Sequence, residues 1–124
     1  MPEKGKGDHT VASGFNFRVV ATERNVSVMH TAPGTIRISI ANADLIEPGV
    51  WWVARVKVDD ASQGKGIGSA LCAAMKAACA EMGATQVQVC PGGYDGNTKR
   101  QAAFYHRNGF EFVDESMMVW RPRA

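Results

Sequence analysis

A single mixed α/β domain with a mostly antiparallel central sheet and two main helices is what this sequence predicts, on three observations. Residues 15–42 alternate apolar and polar side chains with a period of two and hold no long helical pattern. A strand-like run, Trp51 to Val58, passes through Gln63-Gly64-Lys65-Gly66-Ile67-Gly68 into a helix-like run from Ile67 to Met82. A second helical stretch begins near Thr98 and gives way at Asn108-Gly109 to two short strands. At 124 residues the chain fits one domain with a core large enough to fold alone.

Residues 1–10 read as a flexible lead-in and 11–124 as the domain. Phe15, Phe17, Val19 and Ala21 alternate with Asn16, Arg18, Val20 and Thr22. Val26, Val28 and His30 alternate with Ser27 and Met29, and Ile36, Ile38 and Ile40 with Arg37 and Ser39. Glu23-Arg24-Asn25 and Ala32-Pro33-Gly34 supply the turns of this antiparallel meander, and Glu47-Pro48-Gly49 breaks the chain before the next strand. In that strand, Val50 to Val58, strict alternation puts Trp51, Val53, Arg55 and Lys57 on one face and Trp52, Ala54, Val56 and Val58 on the other. Core packing accounts for both tryptophans; a substrate or partner contact by Trp51 is the sharper alternative.

The helix that follows carries Ile67, Leu71, Cys72, Met75, Ala78, Cys79 and Met82 on one arc, with Ser69, Ala73, Lys76 and Ala80 opposite. Gly83 stops it. Gln86 to Cys90 is a short buried-type strand ended by Pro91-Gly92-Gly93. Thr98 and Gln101 have capping-box spacing, and Phe110–Val113 and Met117–Trp120 form a terminal strand pair.

A hydrophobic content of 45% with 21% charged residues describes a soluble globular chain. The net charge of +2 is too small for nucleic-acid binding, which needs clustered cations. No apolar run is long enough for a membrane span, and the polar start has no apolar signal core. Three cysteines without a CxxC pair argue against a disulfide framework and against a metal site, and fit a reducing cytoplasm.

The glycine turn is where chemistry enters. Lying between a strand and a helix, it gathers backbone N–H groups at a helix N-terminus, where the peptide dipoles favour an anion. Glycines at 64, 66 and 68 let a phosphate approach, and Lys65 adds a positive charge. A Walker A loop is excluded because Gly66, not Ser or Thr, follows Lys65. A dinucleotide fingerprint is excluded because Ser69 stands at its third glycine and no acidic residue ends a strand about 20 residues on. A purely structural glycine turn is the competing reading.

Gln63, Gly66 and Gly68 sit in the register Gln-two residues-Gly-one residue-Gly, and Ala103-Phe104-Tyr105-His106-Arg107-Asn108-Gly109-Phe110 closes a later helix with an aromatic-Tyr pair and Gly-Phe. In that order, one strand apart, the two motifs resemble the GCN5-related N-acetyltransferases, the GNAT family, over residues 50–120. The resemblance implies a sheet splayed in a V after its fourth strand, with acetyl-CoA as cosubstrate and no metal. Amides from Gly64 through Lys65, Gly66 and Ile67 to Gly68, with Gln63, would then hold the pyrophosphate. The backbone of Val56 and Val58 would pair with the pantetheine arm, and Val58 N–H would meet the thioester carbonyl oxygen. Tyr105 would protonate the departing thiolate. Packing in the core is the plain alternative for Tyr105, and a solvated face for His106, Lys99, Arg100 and Arg107.

The departures matter equally. Where the family often has a glutamate base this chain has Ala54, leaving ordered water, an amine that arrives neutral, or one of Asp59, Asp60, Asp44, Glu47 and His30, with nothing to choose among them. Where the family has a cofactor-contacting Asn the chain has Thr98, which also reads as a helix cap. Its two N-terminal helices are reduced or absent here, so an open acceptor groove or a second subunit is expected. The expected activity is direct acetyl transfer to a primary amine of a small molecule, peptide or protein. Cys90 reads as a strand cysteine, not a nucleophile, since no His lies nearby in sequence. The alternative is a catalytically weak or inactive binding protein that keeps the CoA site. A homodimer is expected from the apolar material in Trp51, Trp120 and Met117-Met118.

Overall fold

Period-two alternation in the first half produces strands that pair with their sequence neighbours. In the computed structural model, which describes residues 8–12, 16–32, 34, 37–59, 62–64, 66–92 and 98–122, these are β1 (Asp8–Ala12), β2 (Asn16–Ala21), β3 (Asn25–Thr31) and β4 (Ile38–Glu47). Each runs antiparallel to the next, and β5 (Val50–Lys57) continues the meander. The chain then crosses over through α1 (Ile67–Glu81) to β6 (Gln86–Val89), which lies parallel to β5. A parallel pair cannot be joined by a tight turn, which is why the long helix falls at this point. After α2 (Thr98–Arg107) come β7 (Glu111–Phe112) and β8 (Met118–Trp120), with β8 between β6 and β7 in the order β1-β2-β3-β4-β5-β6-β8-β7. The predicted mixed, mostly antiparallel sheet with two helices is the observed one. Residues 8–10 of the expected lead-in are strand, because β2 offers them an edge to pair with.

Helix α1 packs across β2 to β5, so the inward face of those strands is the one it covers. Phe17 and Val19, then Val26, Val28 and His30, are buried there as the alternation predicts. On β4 the parity is not the one the isoleucines suggest. Ser39, Ala41 and Ala43 are buried, whereas Ile38 is 53% exposed and Ile40 half-buried on the opposite face. Small side chains on β4 let α1 come close to the sheet; the buried Ser39 hydroxyl accepts the Asp59 N–H at 2.8 Å. Phe15 and Ile36 lie outside the described residues.

Strict alternation along β5 fails after Val53. Val53 stands opposite Ala43, Arg55 opposite Asn42 and Val56 opposite Ala41, leaving Ala54 without an opposite number. This β-bulge resets the phase, so Val56 joins Trp51 and Val53 on the core face and Arg55 and Lys57 point outward. Trp51 is fully buried and the neighbouring Trp52 half-buried on the other face. The β5–β6 ladder covers only Val50–Trp52 against Gln86–Gln88. Beyond that point β5 runs on to Lys57 beside β4 alone, and the two parallel strands part there.

The helix arc matches its prediction, with Ile67, Leu71, Cys72, Ala74, Met75, Ala78 and Cys79 buried and Met82 packed at the margin. Each fully buried side chain the size of Leu71 or Met75 contributes about 1.5–3 kcal/mol of burial. The helix ends when Gly83 N–H donates to Ala80 O and Ala84 N–H to Cys79 O, both at 3.0 Å.

Candidate functional site

The glycine turn is built from the end of β5 outward. Asp59 is fixed by its N–H on Ser39 Oγ and by its carboxylate 3.7 Å from Arg37 Nη1. Ser62 N–H then donates to Asp59 O at 2.8 Å, closing the first bend, and the Gln63 side-chain amide donates back to Val58 O at 3.3 Å. Gly64 and Gly66 adopt φ of 77° and 79°, left-handed conformations that a side chain would strain. Gly66 is the N-cap of α1, and Ala70 N–H donates to Gly66 O at 3.1 Å to begin the helix.

Three properties suit this turn to a phosphate. Among the described residues no side-chain hydrogen bond caps the helix N-terminus, and no acidic residue stands in its first turn to oppose an anion there. A Cβ built on Gly64 or Gly66 meets nothing within 4 Å, so the space over the backbone is open. Gly68 serves differently: a Cβ there would lie 3.1 Å from Val58 Cγ2 and 3.3 Å from Phe104 Cε1. Its bare Cα therefore lets α1, the end of β5 and α2 converge. Val58 thus lies against Gly68, Val56 packs at the margin of the core, Ile67 is buried within it, Gln63, Gly64 and Gly66 are exposed, and Lys65 lies outside the described residues.

Tyr105 is the buried residue of α2, at 5% exposure. Its ring meets Phe104 at 5.2 Å and Phe110 at 5.4 Å, both edge-on. Burial pushes its phenol well above the ordinary value, and the Cys72 thiol adds to the shift. The hydroxyl therefore stays protonated across any working pH, the state a proton donor requires. Burial also pushes the Cys72 and Cys79 thiols up to about 12, which keeps both inert. Cys90 is a half-buried free thiol just past β6.

The remaining candidates separate. Thr98 is exposed at the start of α2; it packs against the loop after β6, where Gly92 N–H donates to Gln101 Oε1 at 2.9 Å. Lys99, Arg100, His106 and Arg107 form the expected solvated face. Asp44, bonded by Asn25 Nδ2 at 2.7 Å, and Glu47 belong to the end of β4 away from the glycine turn. His30 is buried with its ring edge-on to Phe17. Asp60 lies outside the described residues, and Ala54 is exposed at the bulge.

Sequence reasoning missed Lys76, assigned to the outer face of α1. It is half-buried, its ammonium donates to Asn108 O, and it lies 5.1 Å from the Trp120 ring centroid and 5.9 Å from that of Phe110. Its place at the margin of the helix arc, beside Met75, was the available signal. Asn108, which the sequence marks as part of the helix stop and of the closing motif, has a side-chain amide that donates to Phe104 O at 2.8 Å and Ser69 Oγ at 3.2 Å.

Solved structures share this fold at low sequence identity. The PaiA N-acetyltransferase from Thermoplasma acidophilum, solved in complex with coenzyme A, superposes with a TM-score of 0.67 at 15% identity, over 80% of this chain and 62% of that one. A GNAT family acetyltransferase from Elizabethkingia anophelis with acetyl-CoA bound gives 0.68 at 12%, over 80% and 77%. The IAA acetyltransferase from Bacillus cereus gives 0.67 at 16%, over 81% and 79%. A search of curated proteins finds no match. A family model does: the acetyltransferase (GNAT) domain matches residues 15–112, spanning β2 to β7 and both motifs, and the chain therefore belongs to the GNAT acetyltransferase family.

Proposed function

We propose that this chain is an acetyl-CoA-dependent N-acetyltransferase that passes the acetyl group directly to a primary amine. The observation that carries the reading is the open, uncapped glycine turn at the head of α1, joined through Gly68 and Phe104 to the helix that holds Tyr105. Backbone amides from Gly64 to Gly68, including Lys65 and aided by Gln63, would hold the pyrophosphate. The bulged strand would offer Val56 and Val58 to the pantetheine arm, with Val58 N–H toward the thioester carbonyl oxygen. The amine nitrogen bonds to the carbonyl carbon as the carbon–sulfur bond breaks. The nitrogen loses a proton to water, and Tyr105 gives its proton to the departing thiolate. Thr98 is placed by the same reading at the margin of the cofactor site.

Calorimetry with acetyl-CoA tests the donor site, and release of CoA thiol across an amine and peptide panel tests transfer. Absence of binding at tens of micromolar would sink the reading. A second reading, a binding protein that keeps the CoA site without turnover, draws support from Ala54, exposed at the bulge where the family often carries a glutamate. Binding without CoA release across the panel would favour it. A homodimer belongs to the same proposal, but not through Trp51 and Met118, which are fully buried; Phe112 and Val113 are the exposed material at the β7 edge. Light scattering at micromolar concentration decides, with a mass near 13.4 kDa ending the dimer.

A further inference from the structure

We propose that Lys76 is a positioning residue for Tyr105, acting through the turn that ends α2. This rests on the reading of Tyr105 as proton donor. Helix α2 is short and buries a single side chain outright, so apolar packing alone gives it little to fix its rotation against α1. What fixes it is a polar clamp from two α1 residues seven apart, Ser69 and Lys76. Ser69 Oγ receives the Asn108 side-chain amide at 3.2 Å, and that amide also holds Phe104 O at 2.8 Å. Lys76 donates to the backbone carbonyl of the same Asn108.

That carbonyl belongs to the turn which folds back onto Tyr105. Asn108 N–H and Phe110 N–H both donate to Tyr105 O at 3.0 Å, and Gly109 N–H donates to His106 O at 3.1 Å, with Gly109 at φ 90°. The ammonium thus stands at the negative end of the α2 dipole, where a cation is favoured. Its second contact works on the ring itself. Lys76 faces Phe110, and Phe110 meets Tyr105 edge-on at 5.4 Å, so one side chain restrains both the backbone and the ring partner of the phenol. Trp120 closes the far side, and a Cβ at Gly109 would crowd its ring at 3.2 Å while only touching the ammonium at 3.6 Å. A lysine in this place sets the height and tilt of the Tyr105 ring against α1 without itself being a proton donor to the reaction.

The test is a double-mutant cycle on the full chain. Lys76→Met keeps the aliphatic stem but removes donor and charge. Its expected effect is a fall in kcat of about 10- to 100-fold, the scale of a misplaced catalytic group, with KM and Kd for acetyl-CoA changed less than about twofold. Lys76→Arg, which keeps donor and charge, should restore kcat to within about threefold of the parent. In a Tyr105→Phe background Lys76→Met should cost nothing further, because the group it positions has gone. An unchanged kcat in Lys76→Met, or losses that multiply in the double variant, overturns the proposal while leaving Tyr105 its role. A parent-like kcat in Tyr105→Phe instead overturns that role, and this proposal with it. If Lys76→Met does not fold, Ser69→Ala opens the other half of the clamp. Its smaller loss in kcat must likewise vanish in the Tyr105→Phe background; a loss that persists there overturns the clamp.

Discussion

The strands from β1 to β4 and the segment from β5 through α2 belong to one sheet but are specified in different ways. In the first group a side chain matters for its size and the face it takes: Phe17, Val19, Val26, Val28, Ala41 and Ala43 form the floor under α1. In the second group the backbone carries the specificity, through a bulge at Ala54, left-handed glycines at 64 and 66, and a close approach at Gly68. Volume changes should therefore damage the first group through stability, and conformational or charge changes should damage the second through function. On the proposed reading, N–H groups of the turn would hold the cofactor while the side chains of the floor supply the support.

Phe17→Ala has the largest expected effect, a loss of about 3–5 kcal/mol in stability by denaturant titration, since the residue is 1% exposed. The fraction that remains folded should bind acetyl-CoA with the parent Kd. A large change in Kd there would make the floor part of the site. Gly66→Asp should do the reverse, with the fold retained by circular dichroism and acetyl-CoA binding weakened by about 4 kcal/mol, the repulsion of one unit charge at ~4 Å. Normal binding in a folded Gly66→Asp variant would make the turn structural only. Tyr105→Phe should lower kcat about 100-fold with Kd unchanged. Because burial raises the phenol's pKa, no alkaline loss of kcat should arise from Tyr105 in the parent below the ordinary tyrosine range.

A separate effect, confined to alkaline solution, is one of pH. Cys72 and Cys79 ionise near 9.0 when unfolded and only near about 12 in the folded chain. Between those values the unfolded state releases protons that the folded state keeps, so the stability these thiols contribute is complete below 9.0 and is lost toward about 12. Denaturant midpoints should fall over that window, and a Cys72→Ala, Cys79→Ala variant should show a shallower fall.

Legibility in the sequence followed the same division. Both helices, the β5-turn-α1 order and the terminal strand pair are visible because periodicity and punctuation agree at Gly83, Pro91 and Gly109. The face taken by β4 was not visible, since isoleucines outweigh Ser39, Ala41 and Ala43 on any hydrophobic pattern, and only the nearness of α1 favours small residues. The Ala54 bulge left no compositional mark, because a bulge is defined by its partner strand. The glycine register picked out the turn, and the aromatic pair picked out Tyr105. Lys76 and Asn108 escaped because a half-buried lysine and a solvated one are the same letter until a second helix is laid against them.

The bulge has a consequence for how this strand can change. The pairs on either side of Ala54, Val53 with Ala43 and Arg55 with Asn42, are already consecutive along β4. Removing Ala54 would let them close into an ordinary ladder with every other residue keeping its partner and its face. The extra residue is thus a single peptide of slack on β5, as Ile46 is on β4, where Leu45 pairs with Trp51 and Glu47 with Val50. It falls just past Trp52, the last β5 residue paired with β6. A one-residue deletion there would shorten β5 beyond its β6 partner while leaving the pairs on either side in register.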